Sequence, residues 1–131
     1  MPFTLGYNRP RNTLFIAFSG ALTSEDHHEM VAAACAFIAR NGPCNAITDL
    51  TAVEAFRLPL EYVKAFARKS SVLAGQKRVI VAPTDELFGM MRLFEMHQSS
   101  TGNEPLVVRT MGEALAHFGM AAPDFQPIVL K

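Results

Sequence analysis

The chain is short of charge. Asp, Glu, Lys and Arg make up 18% of its 131 residues while half the residues are apolar, and a typical soluble domain carries roughly 25% charged residues. Surplus apolar surface of this kind is expected to meet a second copy of the chain, so a homodimer is expected. Neither sign of charge is in excess: twelve basic residues balance twelve acidic ones. Without a basic stripe interleaved with aromatics, the electrostatic footprint of a nucleic-acid binder is missing. Long apolar runs are missing too. The longest, MVAAACAFIA from Met30 to Ala39, falls well short of the roughly 20 residues a bilayer-spanning helix needs. The opening MPFTLGYNRPR lacks the charged-then-apolar layout of a secretion signal, and a cytoplasmic location is the expectation. Two cysteines, Cys35 and Cys44, have neither the spacing of a redox pair nor the number for a disulfide framework. Cys35 is read as core and Cys44 as a loop thiol.

The motifs of several chemistries are absent as well. No Gly-x-Ser-x-Gly elbow occurs, so a serine hydrolase has no nucleophile. The glycines are dispersed, and no run reads as a P-loop or a dinucleotide fingerprint. His27 and His28 are neighbours, about 100° apart around a helix, and cannot share a metal as an i, i+4 pair does. His97 and His117 stand alone. A helix start at APTDELFG offers free amides to an anion, but Asp85 and Glu86 would repel it. The expectation is therefore no enzyme, no metal and no cofactor.

What is present is a regular alternation in a chain whose length suits one domain, placed at residues 1–119 with a tail at 120–131. FTLGY and TLFIAFSG, joined by the turn-rich NRPRN, read as a hairpin. The following stretch to Gly42 reads as a helix, with Thr23 or Ser24 as cap and Glu25 and Asp26 at the positive end of its dipole. NAITDL is a short buried strand, and LPLEYVKAFARKSSVL a helix opened by Pro59. KRVIVAP is the least ambiguous strand. PTDELFGMMRLFEMHQSS is a helix capped by Thr84, PLVVRT a strand and TMGEALAHFG a closing helix. The order ββαβαβαβα implies a mostly parallel sheet with an antiparallel N-terminal edge strand.

Asp49, at the end of NAITDL, invites comparison with receiver domains, which phosphorylate a strand-end aspartate. Those domains need further acids after the first strand and a lysine after the fifth. Here the first strands end in SGALT and LGYNRP, and Arg109 stands where the lysine belongs. Asp49 is read instead as a carboxylate that closes a strand and orders the next loop.

The order of elements, with TDLTAV after the first helix and RVIVAP before FGMMRLFEM, resembles the STAS superfamily. The likeness is to its small sporulation-type anti-sigma-factor-antagonist domains, grouped with CRAL-TRIO-like lipid-binding domains. The resemblance implies a non-enzymatic regulatory module with a protein partner. Such domains carry a regulatory serine in an Asp-Ser-Ser-Gly stretch at the start of the second helix. Glu54, Ala55, Phe56 and Arg57 fall there, so the phosphoserine switch is absent, and Thr51 sits too early to replace it.

The third helix carries more apolar residues than one sheet can cover. Leu87, Met90, Met91 and Phe94 share a core face, and Phe88, Leu93 and Met96 widen the arc. Methionine suits adaptable interfaces, Gly89 admits a close backbone, and Arg92 is a polar anchor reaching Glu95, Glu61 or a partner. Phe88, Gly89, Arg92, Leu93 and Met96 are thus the expected interface. The alternative is a small-molecule or lipid binder with its pocket at the C-terminal ends of the strands, near Asp49, Thr51, Pro83, Thr84 and Arg109.

Overall fold

The computed structural model describes residues 2–68, 75–99 and 104–129. Its elements follow the expected order, with one more strand at the end: β1 (Phe3–Asn8), β2 (Thr13–Thr23), α1 (Ser24–Asn41), β3 (Asn45–Arg57), α2 (Leu60–Ala67), β4 (Arg78–Val81), α3 (Asp85–Ser99), β5 (Leu106–Val108), α4 (Met111–Ala116) and β6 (Gln126–Pro127). The part of the expected second helix past residue 68, and residues 130–131 of the tail, lie outside the described residues.

The sheet runs β5-β4-β3-β2-β1-β6. β2 to β5 are parallel, and β1 pairs antiparallel with β2 from Phe3↔Phe18 to Asn8↔Thr13. Each crossover from β2 to β5 advances one place in the same direction, so right-handed connections put α1, α2 and α3 on a single face. Met30, Ala34, Val63, Ala67, Leu87, Met91 and Phe94 of those helices pack there with Leu14, Ile16, Phe18, Leu50 and Ile80 of the sheet. The opposite face presents Ile47, Val79, Val81 and Val108 to Ala114 and Leu115 of α4 and to Phe118 just beyond it. Burial on both faces is why β4 is apolar from Val79 to Val81.

The helix starts are fixed as their sequences suggest. Thr23 Oγ1 accepts from the amide of Asp26 at 3.2 Å, Thr84 Oγ1 from that of Leu87 at 3.2 Å, and Thr110 Oγ1 from that of Glu113 at 3.1 Å. Each satisfies a first-turn donor that the helix itself leaves open.

Three expectations are corrected. β3 does not stop at Leu50 but continues to Arg57, pairing with β2 as far as Thr23↔Arg57. Asp49 therefore lies inside a strand. Its carboxylate accepts from the Thr51 amide at 2.9 Å and from the Thr51 hydroxyl, and the register slips just there, from Ala17↔Asp49 to Ser19↔Ala52. That is a β-bulge held by a local side-chain bond. A second slip follows between Gly20 and Ala21, where Gly20 has φ +69°. Glu54 to Arg57 are thus strand, not the start of a helix. The second correction concerns β1, which is not the sheet edge: β6 pairs beyond it through Gly6↔Pro127 and Tyr7↔Gln126. The tail is held there by Phe125 stacked on Phe15 at 4.6 Å and by Asn8 Nδ2 donating to the Asp124 carbonyl at 2.8 Å. Third, the cysteines exchange places. Cys44 is fully buried, and Cys35 is only half-buried.

Candidate ligand-binding cavity

A cavity of about 390 Å³ lies between the sheet and α1, α2 and α3. Its floor is Ile16, Phe18 and Leu22 of β2, Ala46, Thr48, Leu50 and Phe56 of β3, and Arg78 and Ile80 of β4. These positions follow the two-residue alternation of strands, with shifts at the bulges, so one face supplies them all. The space exists because small side chains stand where large ones would fill it. Ala34 and Cys35 of α1 line it together with Ala46 and Thr48 of β3, and the larger α1 side chains that line it, Met30, Val31 and Ile38, stand about a turn away. Most lining residues are buried or half-buried. The exposed ones among the described residues are His28 and Ala65, which places a mouth between the first turn of α1 and the middle of α2.

Besides His28 and Thr48, two hydrogen-bonded polar pairs interrupt the apolar lining, one toward each end. Near the mouth, His27 Nδ1 and the Tyr62 hydroxyl share a hydrogen bond of 2.8 Å. The imidazole lies flat against Phe18, centroids 6.2 Å apart, and edge-on to Phe66 at 4.6 Å. Burial, with a smaller repulsion from His28, lowers the His27 pKa to about 4, so the ring is neutral near pH 7. Burial also raises the Tyr62 pKa, which keeps the phenol protonated. At the far end, where β4 begins beside Ala46, Arg78 Nη2 donates to Gln98 Oε1 at 3.0 Å. Gln98 is 1% exposed.

Of the pocket residues expected from sequence, Asp49, Thr51, Pro83 and Arg109 line neither this cavity nor a smaller cleft, and Thr84 lines the cleft, about 160 Å³, with Val53, Glu54, Phe56, Glu86 and Leu87. Asp49 and Thr51 are engaged with each other in the bulge. Arg109 closes the end of β5 onto α3: it pairs with Asp85 at 2.7 Å and lies over the Phe88 ring at 4.2 Å. The cavity is elsewhere because the sheet has no switch point. Crossovers that all fall on one face leave the space beneath the helices, not at the strand ends.

Of the expected interface residues, Gly89, Arg92 and Met96 are exposed and share one stripe of α3, while Phe88 and Leu93 are half-buried. Arg92 bonds Glu95 at 2.8 Å. Met96 is 65% exposed.

His27, Tyr62, Arg78 and Gln98 escaped the sequence reading, which treated histidines singly and stopped at Arg78 as a strand boundary. The alanine-rich MVAAACAFIA was the available signal, because a core-facing helix poor in large side chains cannot fill the space over a sheet. Among the described residues no three His, Cys, Asp or Glu side chains come together as a metal site, and no helix is long and apolar enough to cross a membrane. No model of a known protein family matches the chain, and no curated protein matches it.

Proposed function

We propose that this chain is a non-enzymatic, cytoplasmic STAS-like domain that binds an apolar small molecule between its sheet and its three crossover helices. The cavity is the observation that carries this reading. Its volume, about 390 Å³, falls in the range of roughly 300–1,000 Å³ usual for small-molecule sites. The lining is apolar apart from a few groups that orient a ligand. The element order ββαβαβαβα supports kinship with STAS domains, and the missing serine stretch supports a member without the phosphoserine switch.

Native mass spectrometry on the purified protein, with thermal shifts for added alkyl ligands, tests the reading. A co-purified small molecule, or a rise in Tm with a neutral alkyl alcohol, is expected. No adduct and no shift with any alkyl ligand would overturn it.

A second reading, compatible with the first, is a homodimer or a protein partner docked on α3. It is favoured by the Gly89, Arg92 and Met96 stripe, where a large apolar side chain stands in solvent. Phe88 and Leu93 of the same helix are half-buried beside it. Met96→Asp leaves the core untouched, and light scattering should then report loss of the dimer. A native dimer mass in the variant would remove α3 from the interface.

A further inference from the structure

The far end of the cavity holds a cation that forms no ion pair among the described residues. Arg78 lies on the cavity face of β4, directly paired with Ala46 on the neighbouring strand and two residue pairs from Thr48. Two ion pairs join described residues, Arg92 with Glu95 and Arg109 with Asp85, and Arg78 belongs to neither. Its hydrogen-bond partner is the neutral, buried amide of Gln98. A half-buried guanidinium that has lost part of its hydration and gained one neutral acceptor is poorly compensated. Burial pulls its pKa below the ordinary value, and Glu104, too distant for an ion pair, only partly offsets this. The guanidinium retains donors in a planar fork, the geometry that receives a carboxylate through two parallel bonds.

The cavity has a direction as well as a charge. On β2 its floor runs from Ile16 to Leu22, six residue steps or roughly 20 Å. Across the sheet it spans β2, β3 and β4, roughly 10 Å, so the channel is about twice as long as it is wide. From Arg78 it leads past Ile80, Met91 and Phe94 to Phe18, Phe56, Phe66 and the neutral His27. One end suits an anion and the remainder suits hydrocarbon.

Building on the cavity reading above, we infer that the ligand is a single-chain amphiphilic carboxylate, its head held by Arg78 beside Gln98 and its alkyl chain lying along the β2–β3 floor toward the mouth. Gln98 acts as a positioning residue. Its side-chain oxygen holds the guanidinium against the channel end, so that the fork faces the incoming carboxylate.

The test compares dodecanoate, dodecanol and dodecylamine by calorimetric titration at pH 7.5 on the intact protein and on Arg78→Gln. A bond from a half-buried guanidinium to a carboxylate should favour dodecanoate over dodecanol by at least about tenfold in the unmodified protein, with dodecylamine weakest. In Arg78→Gln the preference should vanish while dodecanol binds as before, and Arg78→Lys should restore part of it. Dodecanol and dodecanoate binding equally to the unmodified protein would overturn the carboxylate assignment and leave the apolar cavity standing. Failure of all three to bind would overturn the cavity reading and this inference with it. The comparison on the unmodified protein is decisive without the variants, so it does not depend on their folding.

Discussion

His27 shows how one side chain reports its surroundings. Its ring is pressed between Phe18 and Phe66, bonded to Tyr62, and holds a pKa near 4 against the ordinary 6.5. The unfolded chain takes up a proton at that position as pH falls below 6.5, and the folded chain resists until about 4. The stability this residue contributes is therefore fully present above pH 6.5 and is lost as pH falls to about 4, by as much as about 3 kcal/mol. His27→Phe should flatten the Tm-against-pH curve over that window relative to the parent, measured by circular dichroism. Parallel curves would contradict the buried neutral ring. Tyr62→Phe removes one hydrogen bond and should cost about 1 kcal/mol at neutral pH, read from urea midpoints. Neither role could be seen from sequence, because His27 and Tyr62 are thirty-five residues apart and meet only when α2 is laid beside α1. The cap residues Thr23 and Thr84 were legible, since a cap acts within its own turn.

At the scale of elements, local patterns were read correctly and interruptions were not. VIVA fits burial on two faces, and β4 has it. TDLTAVEAF looked like the end of a strand because polar residues follow Leu50. In the fold those residues form an arm of β2 and β3 that runs past β4, whose last pair with β3 is Asp49↔Val81. Two bulges turn the arm, so its alternation breaks and no constant period survives in the sequence. β6 was illegible for another reason: two residues carry no periodicity, and only docking of Phe125 on Phe15 places them. Gly20 at the second bulge has φ +69°, where a side chain is strained, and Gly20→Ala should cost roughly 1–2 kcal/mol. Asp49→Ala, which frees the Thr51 amide, should cost about 1 kcal/mol and leave alkyl-ligand affinity unchanged. Denaturant midpoints and a dodecanol titration check both. A loss of affinity in Asp49→Ala would mean that the bulge shapes the cavity.

For the whole molecule, the pattern of connections decides where a ligand can lie. Four parallel strands added in one direction put three helices on one face and the short α4 on the other. On the α4 side Ile47, Val79 and Val81 are fully buried. The larger side keeps the cavity, because α1 spends its central turns on alanine. The fold class was legible because strand and helix periods differ, but the cavity was not, because emptiness is a property of facing surfaces. Filling that space should stabilise the protein and exclude the proposed ligand. The most direct test titrates neutral N-phenylnaphthylamine into the parent and into Ala46→Phe, whose ring would stand up from the channel floor, and follows dye fluorescence. Saturable enhancement in the parent, abolished in a folded Ala46→Phe of equal or higher Tm, is the expected result. Equal enhancement in the two proteins, or none in the parent, would contradict a binding cavity between the sheet and its helices.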